Sequence, residues 1–355
     1  MNQPLMTTVA LEREITASYA SSAAVPPHAR LVLRMLQKLR HGSLRISCPD
    51  GTMLAFGSDG APVLLQLDSW EPFAAALKSG DIGFAESYIA GQWHTDDLAG
   101  LLQLLLRNRA ALESAIYGSW WGGLLYRARH LFNRNSKAGS RRNIHAHYDI
   151  GNRFYELWLD PSMTYSSALF TDPAMSLQQA QQAKYQRICD ELQVAPGARL
   201  LEIGCGWGGF AELAATQGAH VTGLTLSTEQ LEYAQQRLAD AGLSPSADLR
   251  LQDYRDIHDG PYDAVCSIEM LEAVGREYWP TYFQSVARLL KPGGRACIQS
   301  IVIRDDLFER YIGSTDFIQQ YIFPGGCLPC PSEFRREAAA AGLKVVDELA
   351  FGRDY

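Results

Sequence analysis

Glu202 stands inside an apolar run, Leu200 to Ile203, that breaks into Gly204, Cys205, Gly206, Gly208 and Gly209 before a helical pattern begins. Gly204 and Gly206 permit a tight turn and close backbone approach to a ligand, and Gly208 or Gly209 lets the next helix start beside it. Alone, Gly204, Gly206 and Gly209 meet the dinucleotide spacing G-x-G-x-x-G. Two details point elsewhere. A dinucleotide presents a pyrophosphate to the helix N-terminus and has no use for a carboxylate there. S-adenosylmethionine carries an ammonium and a sulfonium and no phosphate, so Glu202 favours it. The following strand then ends "GLTLS", with no acid between Leu224 and Ser227 to hold a ribose diol. Thr225 and Gln230 offer neutral hydrogen bonds instead, and Asp253 with Tyr254 stands where an adenine would lie. The expected cofactor is S-adenosylmethionine, with a dinucleotide or a purely structural turn as the alternatives.

Other residue types that could do chemistry are sparse. Glu269 and Glu272 lie three apart and resemble a paired acid–base set; Glu272 is taken as the functional one, with Glu269 capping or solvated. His145 and His147 have H-x-H spacing but no evident third ligand. Cys327 and Cys330 form a lone C-x-x-C, and the seven cysteines are scattered and odd in number. That fits reduced thiols in a cytoplasm rather than a disulfide framework. Tyr321, read without further context, is a strand-end aromatic.

These residues need a scaffold, and the pattern supplies one. From about Pro196, strands ("ARLLEIGC", "HVTGLTL", "ADLRLQD", "YDAVCSI", "RACIQSIVI", "LKVVDELAF") alternate with helices. The helices are "GGFAELAATQG", "STEQLEYAQQRLADAG" with Gln230 at capping-box spacing from Ser227, "REYWPTYFQSVARLL" interrupted by Pro280, and "SEFRREAAAAG". The predicted fold class is α/β, a parallel sheet covered on both faces, which binds ligands at the carboxyl ends of its strands. Residues 43 to 67 read as three short strands with a turn at Asp50-Gly51. A helix, a glycine-containing turn and a helix follow, then an amphipathic helix, so residues 28 to 112 form a small α+β domain. Residues 1 to 27 read as a disordered tail and 113 to 142 as a linker. Residues 143 to 355 form the α/β domain.

Composition is that of a globular protein, 47% hydrophobic and 20% charged in 355 residues. The net charge of −7 argues against nucleic acid as a partner. Between Ser114 and Tyr148 there is no Asp or Glu, yet Arg127, Arg129, Arg134 and Arg141 alternate with Trp120, Trp121, Tyr126 and Phe132. Such a stretch suits an anionic membrane surface, or else a solvated helix packed on the protein. No apolar run reaches the ~18 residues of a spanning helix.

At this point five segments together resemble the cyclopropane-fatty-acyl-phospholipid synthases, related to the mycolic acid methyltransferases. They are "HYDIGNRFYELWLDPSMTYSSALF", "LEIGCGWGG", "LQDYRDI", "CSIEMLEAVG" and "YIFPGGCLP". "GDIGFAESYIAGQW" is similar to that family's N-terminal, sterol-carrier-like lipid-binding domain. The resemblance implies a Rossmann-like class I methyltransferase domain, C-terminally incomplete here. It places S-adenosylmethionine against Tyr165 and Ser166, the turn from Leu200 to Gly208, Thr225 to Gln230, and Asp253 with Tyr254. It implies methyl transfer to the cis double bond of an unsaturated phospholipid acyl chain, giving a cyclopropane through a carbocation. Tyr165, Tyr321 and Phe170 would face that cation. The base in the family is a bicarbonate, whose ligands map to Ser167, Glu272, Gln299, the backbone of Ile301, and Tyr321. Ser167, Gln299 and Ala273 depart from the family's usual Cys, His and His. A methyl-branched or methylene product therefore stands as an alternative outcome. Further alternatives are methylation of a soluble amine, and an inert lipid-binding protein. The expected partners are unsaturated phospholipid, the inner face of a membrane bound peripherally, and a second copy in a homodimer.

Overall fold

The computed structural model describes residues 16–19, 21–109, 112 and 151–354. Most of the predicted tail, the basic-aromatic linker, and His145 with His147 lie outside the described residues. The chain divides into two compact units, Met1–Arg129 with Ser314–Tyr321, and His130–Gly313 with Ile322–Tyr355.

In the first unit, strands β1 (Ser43–Ser47), β2 (Met53–Gly57) and β3 (Pro62–Leu67) occupy the three predicted segments. β4 (Trp93–His94), which the sequence did not announce, pairs with β3 and completes the sheet order β2-β1-β3-β4. Leu44, Ile46, Leu54, Phe56, Leu65 and Leu67 alternate inward to form its core. The helix over Glu71–Ile89 is broken at Gly80, whose φ of 64° and ψ of −138° are non-helical, as the glycine-containing turn predicts.

The second unit holds a five-stranded sheet of order β7-β6-β5-β8-β9, every pair parallel. The strands are β5 (Arg199–Ile203), β6 (His220–Thr225), β7 (Ala247–Leu251), β8 (Tyr262–Ile268) and β9 (Leu290–Gln299). Order reverses beside β5, the switch point at which such sheets open a crevice for a ligand. One face packs Leu200, Phe210, Ala211, Val221 and Ala264. The other packs Leu201, Ile203, Val265, Tyr282 and Phe283.

Four local expectations are corrected. Pro280 does not interrupt a helix; it begins the one over Trp279–Leu289, where its missing N–H has no intrahelical partner to lose. The "KPGG" stretch is a register shift within β9 rather than a turn before it. Gln230 does not close a capping box. Its N–H donates to Ser227 Oγ (3.3 Å), but its side-chain oxygen accepts from Thr225 Oγ1 (3.0 Å). A closed capping box lies instead at Ser176 and Gln179, opening the helix Leu177–Leu192. Residues 343–351 form no strand: a strand needs a backbone neighbour, and Val346 is 74% exposed. Side chains hold this segment, Asp347 to Arg187 and Glu348 to Arg335.

Candidate active site

The crevice forms where β5 ends. Gly204 takes φ 88°, a conformation that costs other residues strain, and the N–H groups of Gly204 and Cys205 both donate to Leu224 O at 3.0 and 2.8 Å. The turn is thereby pinned to the end of β6. The helix Gly209–Thr216 starts immediately after. Of the predicted cofactor-binding residues, Tyr165, Ser166, Glu202, Gly204, Cys205, Gly206, Thr225, Gln230, Asp253 and Tyr254 line one cavity. Leu200 and Gly208 are not among its lining residues. Leu200 is wholly buried in the core, and Gly208, at φ 83°, lets the helix pass Ala234, which a Cβ would meet at 2.9 Å. Leu200 is thus a core residue, and Gly208 shapes the turn.

Glu202 projects from β5 opposite Gly223 of β6 and Cys266 of β8. It is 2% exposed, and its Oε2 has no hydrogen-bond partner among the described residues. A buried carboxylate without a partner is costly, and its environment shows the cost: burial pushes its pKa up to about 8, with Lys184 pulling the other way. A buried carboxyl with an unsatisfied oxygen at a cavity fits a ligand that brings an ammonium, beside which it would ionise. Lys184 itself is buried, with its pKa lowered to about 7 by burial, and donates to Ser166 Oγ at 2.5 Å. Gln181, one turn earlier, donates to Ser166 O at 2.7 Å. The helix Leu177–Leu192 therefore fixes Ser166 from below. Tyr165 lines the cavity and makes a T-shaped ring contact with Trp158, centroids 5.4 Å apart.

At the far end the polar groups are neutral or already paired. Thr225, Ser227 and Gln230 form a closed hydroxyl–amide network. Asp253 is held by Arg255 through Nε (2.8 Å) and Nη2 (2.5 Å), so its charge is compensated. The buried Tyr254 hydroxyl has no hydrogen-bond partner among the described residues.

The predicted catalytic set is divided. Ser167, Gln299 and Glu269 come together: Glu269 Oε1 accepts from the Ser167 N–H (2.9 Å) and from Gln299 Nε2 (2.8 Å). Glu269 is thus neither a cap nor solvated, and it lines the cavity. Its backbone takes φ 49°, and its N–H donates to Gln299 O at 2.8 Å. Burial raises its pKa while the Ser167 and Gln299 hydrogen bonds lower it. Glu272 is buried and accepts from the Ile301 N–H; burial pushes its pKa up to about 7, and its Oε2 has no partner among the described residues. Glu272 does not line the cavity, whereas its neighbour Ala273 does. Tyr321 belongs to the first compact unit, where its hydroxyl donates to Glu86. Gln299 Nε2 and the Ser167 N–H are engaged by Glu269, the Ile301 N–H by Glu272 and the Tyr321 hydroxyl by Glu86, while the Ser167 hydroxyl donates to the Ala168 carbonyl. With these donors already held within the chain, the residues do not fit a bound bicarbonate. All seven cysteines are free, and no metal-holding cluster occurs among the described residues.

A parallel sheet reversing at β5, a glycine turn and a buried carboxyl at that turn fit an S-adenosylmethionine-dependent methyltransferase. Comparison with known proteins agrees. The family described as mycolic acid cyclopropane synthetase matches residues 135–355, and the chain belongs to it. Tuberculostearic acid methyltransferase UfaA1 of Mycobacterium tuberculosis is 37% identical over 349 residues, 95% of this chain and 79% of that protein. Cyclopropane-fatty-acyl-phospholipid synthase of Escherichia coli (strain K12) is 36% identical over 83% of this chain and 74% of its own. Among solved structures, mycolic acid cyclopropane synthase CmaA1 complexed with SAH and CTAB superposes with TM-score 0.53. That likeness has 33% identity and covers 58% of this chain and 76% of that one. The chain is a lipid-modifying methyltransferase, and its cofactor is S-adenosylmethionine.

Proposed function

We propose that this enzyme methylates the cis double bond of unsaturated acyl chains in phospholipids, working at a membrane surface and forming a cyclopropane fatty acid. The observation that carries the reading is the cavity lined together by a buried carboxyl, Glu202, an aromatic side chain, Tyr165, and a second carboxyl, Glu269. When bound, S-adenosylmethionine supplies an electrophilic methyl on a sulfonium. Glu202 and the Gly204–Gly206 turn hold and orient it, with Thr225, Gln230, Asp253 and Tyr254 along the remainder of the site. An alkene is a weak nucleophile, so orientation and exclusion of water must supply most of the acceleration. Methylation leaves a cation on the adjacent acyl carbon, which the Tyr165 ring face stabilises. The first unit, with its apolar core under a four-stranded sheet, is read as the lipid-binding domain. The basic and aromatic residues between 114 and 148 are read as the contact with anionic headgroups. No helix among the described residues is long and apolar enough to cross a membrane.

A second reading, a methyl-branched or methylene product, is favoured by the likeness over 95% of the chain to a relative named a methyltransferase rather than a cyclopropane synthase. One experiment tests both. The protein is incubated with methyl-labelled S-adenosylmethionine and vesicles of monounsaturated phosphatidylglycerol, fully saturated phosphatidylglycerol, or a soluble amine. Label is expected only in the monounsaturated lipid, and mass spectrometry with ring and branch isomers separated identifies the product. Label in the amine alone contradicts the reading.

A further inference from the structure

We propose that Glu269 is the general base of this enzyme, a resident carboxylate that removes the proton released when the methylated acyl chain closes to product; the proposal rests on the function proposed above. Four observations carry it. Glu269 lines the same cavity as Glu202, Gly204, Tyr165 and Ser166. It follows directly on β8, which ends at Ile268, so it sits at the carboxyl end of a central strand, where this architecture places its chemistry. Its carboxylate is aimed by two donors from different elements, the Ser167 N–H at 2.9 Å and Gln299 Nε2 at 2.8 Å, both on Oε1. Its backbone is held at φ 49°, a left-handed conformation unfavourable for a glutamate, which persists where surrounding structure demands it and is concentrated at functional sites.

Glu272 is the rival, and geometry disfavours it. It lies outside the cavity lining, and the Ile301 N–H occupies one of its oxygens. Its place is behind the site, where it holds the segment after β9.

The step balances. The alkene π pair forms a bond to the methyl carbon as the carbon–sulfur bond breaks, its pair remaining on sulfur and leaving S-adenosylhomocysteine. The acyl chain then carries the positive charge. Glu269 takes a proton from the new methyl group, and that C–H pair closes the three-membered ring. If a hydride shifts first, proton removal from the same methyl carbon leaves a methylene branch instead. In either case one proton ends on Glu269, with no oxidant or reductant required.

The substitution Glu269→Gly suits the test, because glycine adopts φ 49° without strain and folding should be preserved. Expected results for Glu269→Gly and Glu269→Gln are S-adenosylhomocysteine affinity within about twofold of wild type and an undiminished melting temperature, with methyl transfer to monounsaturated vesicles down about a hundredfold. In Glu269→Gly, formate or bicarbonate, small enough to replace the carboxylate between Ser167 and Gln299, should restore turnover about tenfold, whereas wild type should not respond to bicarbonate removal. Products formed without the base should shift from ring or methylene toward other cation-derived species. The proposal is overturned if both variants turn over like wild type. It is equally overturned if they lose S-adenosylhomocysteine affinity together with turnover and no oxyanion restores either, which would make Glu269 structural. Absence of transfer by a wild type that still binds S-adenosylhomocysteine removes the proposed function itself, and this assignment with it.

Discussion

Glu202→Gln should weaken binding of S-adenosylmethionine and S-adenosylhomocysteine by about a hundredfold, the worth of a charge-assisted hydrogen bond in a buried site. The same change should leave the melting temperature of the protein without ligand unchanged or higher. Burial raises the Glu202 pKa from 4.5 to about 8, so this residue's contribution to stability is full below pH 4.5 and is lost as pH climbs toward 8. Glutamine carries no such penalty. The pH dependence of binding follows with the opposite sign. Below about pH 8 the carboxyl is largely protonated, and an ammonium requires it ionised, so binding releases a proton. Affinity in the wild type should climb by up to about tenfold per unit between pH 6 and 7.5, and that slope should vanish in Glu202→Gln. Calorimetry in two buffers of different ionisation heat measures both the affinity and the proton count. A wild-type affinity independent of pH, or a variant that binds equally well, would remove Glu202 from the ammonium site.

Gly204→Val is expected to damage fold and site together. Position 204 sits at φ 88°, and a Cβ there would meet the Met270 side chain at 3.1 and 3.3 Å. A β-branched residue in that conformation costs about 1–3 kcal/mol before the clash is counted. The N–H groups of Gly204 and Cys205, which tie the turn to Leu224 O, would be displaced with it. Urea unfolding with and without S-adenosylhomocysteine should show lower stability and no stabilisation by the ligand. An unchanged midpoint and an intact ligand shift would mean that the turn tolerates a side chain and does not approach the cofactor closely.

The strand–turn–helix around Glu202 was legible because two local signals coincide there: an apolar run too short for a helix, and glycines where only positive φ serves. The three strands of the first unit were legible for the same reason, since each ends at a turn signal. β4 was not, because two residues cannot show alternation, and Trp93–His94 becomes a strand only through its pairing with β3. The helix Leu177–Leu192 escaped because its buried face includes Gln181 and Lys184, residue types that read as solvated. That loss concealed how Ser166 is held. Residues 343–351 are apolar enough to read as a strand, but ladder formation depends on a neighbour that local sequence cannot reveal.

Within the site, spacing and the family resemblance together pointed to residues most of which line one cavity; Glu269, read as capping or solvated, lines it too, and Glu272 does not. On a helix the two would share a face. Here Glu269 is the first residue past β8 and the short turn at Leu271–Ala273 comes after it, so the two carboxylates are directed by different backbones. The position just beyond a strand's carboxyl end was the available signal. Ser167 and Gln299, which the resemblance grouped with Glu272, Ile301 and Tyr321, share a partner within this chain, Glu269.

The most direct test of the central claim, that the turn after β5 cradles a sulfonium donor, is calorimetric titration of the wild-type protein with S-adenosylhomocysteine and, separately, with NADH. One S-adenosylhomocysteine bound per chain at micromolar strength or tighter, and no heat from NADH, is the predicted result. NADH binding by a folded protein that ignores S-adenosylhomocysteine would contradict it.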